Sequence, residues 1–340
     1  MEAATIVRLK DSTPDMDLAD FGFSALERLR CYWTARPPAK RRAGVLSTKP
    51  ISLTTVDNHI SSARRFVRWL DRSDAYKWEM PRHGLDALAV NLKRLQTDEE
   101  VARQRHGVKV LSVEQLGLVY RHATDFERLL LLLGLNAAMA QAEVCSLRWD
   151  EVEPEPPAIK RVRLKSRVYG EFSLWRQTQK ALDWWKRVRP PTSPLVMVTS
   201  RGQPYTRQRL ANAWIKLRHR IERDTGVAPE WWLPYKHLRK TAAQLVRQSS
   251  DGEITAVFLS HGQPVKTDDL ADVYSNRPFA KVAAALAKVE AVLQSYFDLV
   301  PTAFSEETFG RGPERVNRGK NQAKSVPVQS DEIAHDGTAA

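Results

Sequence analysis

Three cations crowd the start of one amphipathic segment: Lys236, Arg239 and Lys240 in YKHLRKTAAQLV, Tyr235 to Val246, where Leu238, Ala242 and Leu245 recur at helical spacing. The second half of the chain also holds Lys165 in an alternating stretch, His261 just before a glycine, and Tyr274 in a short amphipathic run. Cations grouped in this way hold polyanions and stabilise charge that gathers on phosphate oxygens. The sequence has no glycine-rich phosphate loop of the GxxxxGK type and no HExxH metal pattern. Phosphate chemistry would therefore run on the protein's own cations, with no cofactor and no metal expected.

The rest of the chain leans the same way. Its 340 residues include 53 Lys+Arg against 40 Asp+Glu, a net charge of +13 that favours nucleic acid over small neutral ligands and leaves an anionic membrane open. The longest apolar stretch, LLLLLGL at Leu129 to Leu135, falls far short of the roughly 20 residues that span a bilayer. The opening MEAATIVRLKD lacks a signal peptide's apolar run and cleavage site, so a cytoplasmic protein is expected. Cys31 and Cys145 are too few and too far apart for a disulfide framework or a cysteine zinc site. With 42% hydrophobic residues and 10 Trp there is apolar material for two cores, and Trp69, Trp149 and Trp184 fall at positions expected to be buried.

Positioning these side chains falls to a mainly α architecture with a small β-hairpin or sheet, an α+β class. A helix is predicted over 20–34, followed by a Pro-broken basic loop, ARPPAKRRAGVLSTKP. In LTTVDNHISSARRFVRWL the apolar Val56, Ile60, Ala63, Phe66, Val67 and Leu70 mark a helix, with Thr54 and Asp57 as its capping box. Arg64, Arg65 and Arg68 crowd around that stripe, either as a solvated face or as contacts to phosphates. A helical segment near Leu85 to Leu95 completes a first unit, and TDEEVARQRHGVKV reads as a linker ending near Lys109.

Ser112 and Gln115 offer a capping box for the next helix, and Phe126 to Met139 is apolar almost all round, hence buried. From Ile159 to Leu174 the period falls to two, which predicts a hairpin carrying Lys165. Helices are then predicted over Gln177 to Val188, over Arg207 to Asp224, and over the cation-bearing segment, which Gly252 ends. EITAVFLS is a short helix stopping at His261 with Gly262 as its cap. Thr267 opens a helix that carries Tyr274 and stops before Pro278, and Val282, Leu286, Val289 and Leu293 define the last.

From about Lys109 to Leu293, and more loosely from Leu53, the chain resembles the tyrosine recombinases, or phage integrases. HLRKTAAQL is similar to the family's second-arginine motif, FLSHG stands at its Leu-Gly-His turn, and DVYSN stands at its nucleophilic tyrosine. LNAAMAQAEVCSLRWDEV is similar to the first-arginine turn, with Glu143, Leu147 and Trp149 in register. The resemblance implies a helical, SAM-like core-binding domain over 1–105 and a catalytic-like domain over 106–300, while the polar, Ser-, Gly- and charge-rich composition from about Ser305 onward predicts a disordered tail, bounded as 301–340. The resemblance also implies double-stranded DNA as the partner, and a homo-oligomer on paired sites in which the helix from Phe279 to Leu293 either docks on a neighbour or packs on its own domain.

The chemistry so implied is strand cleavage and rejoining through a 3′-phosphotyrosyl bond. Tyr274 would be the nucleophile, Arg239 and Lys236 phosphate ligands, His261 a partner of the phosphate or the tyrosine, and Lys165 the proton donor to the leaving 5′-oxygen. Arg64, Arg65, Arg68, Lys109 and Lys240 would contact DNA. Three departures stand out: Ala140 occupies the first-arginine position, Lys236 replaces a histidine, and 13 residues separate His261 from Tyr274, longer than the common spacing. Tyr296 is the downstream alternative to Tyr274. A catalytically impaired relative acting as a DNA-binding regulator or accessory protein is the second reading, and a basic helical protein that binds RNA or an acidic partner the third.

Overall fold

Residues 15–40, 46–104, 107–189, 193–261 and 276–305 are described by the computed structural model. The chain divides into two compact units, Met1–Gly107 and Val108–Ala340. The first comprises α1 (Phe23–Thr34), an antiparallel pair β1 (Pro38–Lys40) and β2 (Leu46–Pro50), α2 (Leu53–Asp71), the short α3 (Gly84–Ala87) and α4 (Asp98–Gln104). Its core joins Leu26, Leu29 and Trp33 of α1 to Val56, Ile60, Ala63, Val67 and Leu70 of α2.

Several local expectations are corrected here. The stretch read as a basic loop pairs in part as β1 and β2. The cap of α2 is Ser52, immediately before the first helical residue, whose Oγ accepts from Thr55 N at 3.2 Å. The segment near Leu85 to Leu95 is α3 and a separate 3-10 turn, Leu92–Leu95. Part of the expected linker is α4, where Asp98, Glu99 and Glu100 suit a helix N-terminus and both oxygens of Glu100 accept from Arg36 at 2.8 Å. Phe66 and Trp69 are 46% and 53% exposed, because the covered stripe of α2 is narrower than its run of apolar residues. They pack on each other instead, with ring centroids 5.8 Å apart, and Trp69 also meets Tyr76 at 5.6 Å.

The second unit holds α5 (Val113–His122), α6 (Asp125–Asn136), α7 (Gln141–Cys145), the strands β3 (Val152–Pro154), β4 (Pro157–Val162) and β5 (Tyr169–Ser173), then α8 (Arg176–Val188), α9 (Arg207–Thr225), α10 (His237–Ser249), α11 (Gly252–Phe258) and α12 (Phe279–Asp298). The architecture is mainly helical with a small antiparallel sheet, ordered β3-β4-β5. Ser112 and Gln115 form the expected capping box, and Thr124 with Glu127 forms another. Every residue of α6 is buried, making it the hub of the core. The stripe of α12, Val282, Leu286, Val289 and Leu293, is taken up in its own unit, where Trp175 Nε1 also donates to the Leu286 carbonyl at 2.9 Å. Trp184 is buried and Trp149 partly so. The core runs on past 300: Phe304 is buried against Trp184, so 301–305 is not tail.

The hairpin turns its cationic face inward. Ile159 is fully buried, and a period of two then carries Arg161 inside while Val162 is exposed. Gly252 opens α11 rather than ending α10, with Asp251 Oδ1 capping Ile254 N at 2.8 Å. After α11 the left-handed position is Ser260 (φ 50), two residues before the expected Gly262. Gly262, Thr267, Tyr274 and the stretch 306–340 lie outside the described residues. Among the described residues no helix is long and apolar enough to cross a membrane.

One close approach sets the position of the cation-bearing helix. A Cβ on Gly134 of α6 would lie 2.7 Å from Leu238 Cδ1 and 3.0 Å from Leu238 Cβ, so α10 rests directly on the bare backbone of α6. Gly134→Val should lower unfolding stability by about 1–3 kcal/mol, the usual cost of overpacking, and shift Arg239, the neighbour of Leu238. Urea denaturation checks this, and a variant as stable as the parent would refute the packing.

Candidate active site

Three chain segments meet at Glu143, and a fourth joins two of them through the Leu259 carbonyl. Ala138 takes a positive φ of 50°, which reverses the chain after α6, and Ala140 N–H then donates to Glu143 Oε2 at 2.8 Å as α7 begins. Just past β4, Arg163 Nε donates to Glu143 Oε1 at 2.5 Å, and its Nη1 donates to the Leu259 carbonyl at 3.2 Å. From the first turn of α10, Arg239 Nη1 donates to the Ala138 carbonyl at 2.7 Å and Nη2 to the same Leu259 carbonyl at 2.5 Å. Arg239 Nη1 also lies 3.8 Å from Glu143 Oε2. Behind them Arg161 Nη1 donates to the Glu143 carbonyl at 3.0 Å and fastens α7 to the strand.

Two guanidiniums thus share one carboxylate, and all three groups are largely covered. The side chains of Arg163, Arg239 and Glu143 are 18%, 17% and 14% exposed. Burial holds the Arg239 guanidinium down to about 10, with the Arg163 charge adding to the fall and Glu143 opposing it. It remains a cation at neutral pH. His261, beyond the Ser260 turn, is lowered by burial first and then by the charges of Arg239 and Arg163. Its imidazole is therefore neutral at neutral pH and able to accept a proton.

Lys165 sits exposed on the hairpin connection and makes no hydrogen bond or ion pair among the described residues. Both of its flanks are fixed to the α11 turn: Arg163 to the Leu259 carbonyl, and Ser166 Oγ to the Ser260 carbonyl at 3.1 Å. Gly170 lets β5 close on that turn, since a Cβ there would meet Ser260 Oγ at 2.4 Å. Lys236 stands exposed as the N-cap of α10, one turn before Arg239, and Lys240 is exposed one residue after it. Lys109 is exposed, and its carbonyl accepts from His237 Nδ1 at 3.0 Å.

The fold therefore gathers Arg239, His261 and the base of the hairpin that bears Lys165, while Arg64, Arg65 and Arg68 belong to the other unit. There Arg64 is half-buried with its Nε lacking a hydrogen bond, Arg65 Nη2 donates to Ser62 Oγ at 3.2 Å, and Arg68 is exposed. Arg65 and Arg68 line a basin with Trp69 and Arg72. Sequence reasoning missed Arg161, Arg163 and Arg277. Arg277 Nη1 donates to the His261 carbonyl at 3.1 Å, which ties together the two flanks of 262–275. The signal for the first two was Ile159, whose burial puts every second residue of the strand on the inner face.

The described tyrosines of this unit are all occupied elsewhere. Tyr235 is buried with its hydroxyl donating to the Leu130 carbonyl at 2.8 Å, and burial pushes its pKa up. Tyr120 and Tyr169 are pushed up to about 12, each by burial first, and Tyr169 then by its 2.8 Å bond to Glu171. Tyr205 is buried against Phe126. The ring of Tyr296 lies over Gly117 of α5, so this downstream alternative serves packing.

No protein-family model and no curated protein sequence matches the chain. Solved structures do. The lambda integrase dimer bound to a COC′ core site aligns over 81% of this chain and 87% of its own, at 13% identity and a TM-score of 0.53. The Tn1549 transposon integrase in complex with transposon right end DNA aligns over 85% and 91%, at 12% identity and 0.55. The XerH site-specific recombinase bound to difH aligns over 78% and 73%, at 17% identity and 0.52. The chain has the fold of the tyrosine recombinases.

Proposed function

We propose that this chain is a divergent tyrosine recombinase, a DNA strand-transferase that cleaves and rejoins double-stranded DNA in the cytoplasm through a 3′-phosphotyrosyl intermediate. The observation that carries the reading is the surplus of cationic charge around Glu143. Two guanidiniums and one carboxylate leave a net positive cluster beside a neutral imidazole, and the exposed Lys165 on the adjoining hairpin has no ion pair among the described residues. Holding like charges together costs free energy, and a phosphate recovers it.

In the step proposed, the Tyr274 oxygen forms a bond to phosphorus and His261 takes the phenolic proton. The bond from phosphorus to the 5′-oxygen breaks with its electron pair on that oxygen, which Lys165 protonates. Arg239 and Lys236 stabilise the charge that builds on the non-bridging oxygens. Attack by a 5′-hydroxyl reverses the step on a new strand. Tyr274 is favoured because it stands in the DVYSN segment that resembles the family's nucleophile motif, and because the other tyrosines of its unit are engaged in packing or hydrogen bonds. Arg64, Arg65, Arg68, Lys109 and Lys240 neutralise flanking phosphates, so affinity falls steeply with salt. Two or more protomers act on paired sites.

The test is a pool of nicked duplexes with randomised cores, incubated with the full chain and probed for an adduct that survives detergent. A phosphotyrosyl peptide in the trapped adduct supports the reading, and sequencing the trapped DNA reports the site. Ala140 favours a second reading, a DNA-binding regulator that kept the fold and lost the chemistry, since losing one preset donor costs on the order of 100- to 1,000-fold in rate. Salt-sensitive duplex binding without any adduct decides for that reading.

A further inference from the structure

We infer that Arg163 supplies the second phosphate-binding guanidinium, replacing from the hairpin strand the arginine that Ala140 lacks on α7. The inference rests on the strand-transfer reading for its catalytic consequence, while its anion-binding part stands by itself.

Position 140 and Arg163 converge on one group: Ala140 N–H and Arg163 Nε bond the two oxygens of the same Glu143 carboxylate. Arg163 is also coupled to Arg239 at a second point, because the Leu259 carbonyl accepts from both. Two guanidiniums bonded to one carbonyl oxygen and facing one carboxylate stand side by side, which is the arrangement that grips two oxygens of a single phosphate. Glu143 and Leu259 take Nε and Nη1 of Arg163, and Nη2 has no hydrogen bond among the described residues. A free donor on a guanidinium that is only 18% exposed is suited to an anion entering the pocket.

A purely structural arginine needs none of this. Arg161, two residues earlier on the same strand, shows that role, with bonds to the Glu143 carbonyl and Ser146 Oγ and an ion pair to Glu151. Arg163 continues the alternation just past the strand and bonds the Leu259 carbonyl as well as Glu143. The connection that follows β4 would then carry both a phosphate ligand and the proton donor.

Inorganic phosphate is the first probe, read by NMR on the His261 ring in the full chain. Phosphate should perturb that ring in the parent. Arg163→Ala should weaken the apparent affinity at least about 10-fold, and raise the His261 titration midpoint by removing one neighbouring charge. Arg163→Lys, which keeps the charge without the fork, should leave the midpoint low and recover affinity only in part. The second probe is adduct formation with the nicked duplex pool. Arg163→Ala should slow it on the order of 100- to 1,000-fold, and Ala140→Arg introduced into Arg163→Ala should restore at least a tenth of the parent rate.

Circular dichroism and urea midpoints separate misfolding from lost binding, and the rescuing double variant guards against a fold defect. Phosphate affinity and adduct rate unchanged in a folded Arg163→Ala overturn the inference and leave the strand-transfer reading intact. A parent that binds phosphate through Arg163 yet forms no adduct keeps the inference and sinks the strand-transfer reading.

Discussion

Tyr274→Phe should leave the chain bound to DNA but without a covalent adduct. Removing a nucleophile costs on the order of a million-fold in rate, because the remaining groups have nothing to activate. Duplex affinity, dominated by contacts to phosphates, should change by no more than about 3-fold. Single-turnover trapping on the nicked duplex pool measures the first quantity, and salt-matched binding isotherms the second. An adduct undiminished in Tyr274→Phe and lost in Tyr296→Phe would transfer the role to the residue packed over Gly117, at odds with its placement.

Arg239→Ala should slow adduct formation by about 100- to 1,000-fold, the loss typical of a preset donor at a developing oxyanion. Stability should fall as well, by roughly 2 kcal/mol. Its two short bonds, to the Ala138 and Leu259 carbonyls, disappear, and Ala138 is left without that donor. Relief of repulsion from Arg163 offsets part of the loss. Arg239→Lys should regain little of the rate, since one ammonium cannot span two carbonyls and a phosphate as the planar fork does. Trapping kinetics and urea unfolding on the same preparations check both, and a near-parental rate in Arg239→Ala would remove this residue from the phosphate site.

Much of the frame is legible in the residues themselves. Ser112 with Gln115 marks a helix start because two reciprocal hydrogen bonds need only local geometry. The stretch from Ile159 to Leu174 declares strands through its period of two. What local pattern does not carry is which face becomes covered. Phe66 and Trp69 look like core on helical spacing, yet the first unit closes over a narrower stripe and leaves them exposed. β3, three residues long, is too short to show an alternation, and α4 passes for a linker because its helix-forming residues are almost all polar.

The candidate site divides in the same way. Arg239, His261 and Lys165 are recognisable from motif order, whereas Arg163 is one of several cations in RVRLKSR. Only the distant Glu143 and the Leu259 carbonyl single it out, and those contacts cross 20 and 96 positions of sequence. Arg277 is invisible for the same reason, since its acceptor is a backbone atom 16 residues away.

Arg239 acts as a staple between backbone oxygens of two turns that lie more than a hundred residues apart in the chain. Loosening either turn removes a contact from the other, and the hairpin joins the same linkage because Arg163 shares the Leu259 acceptor.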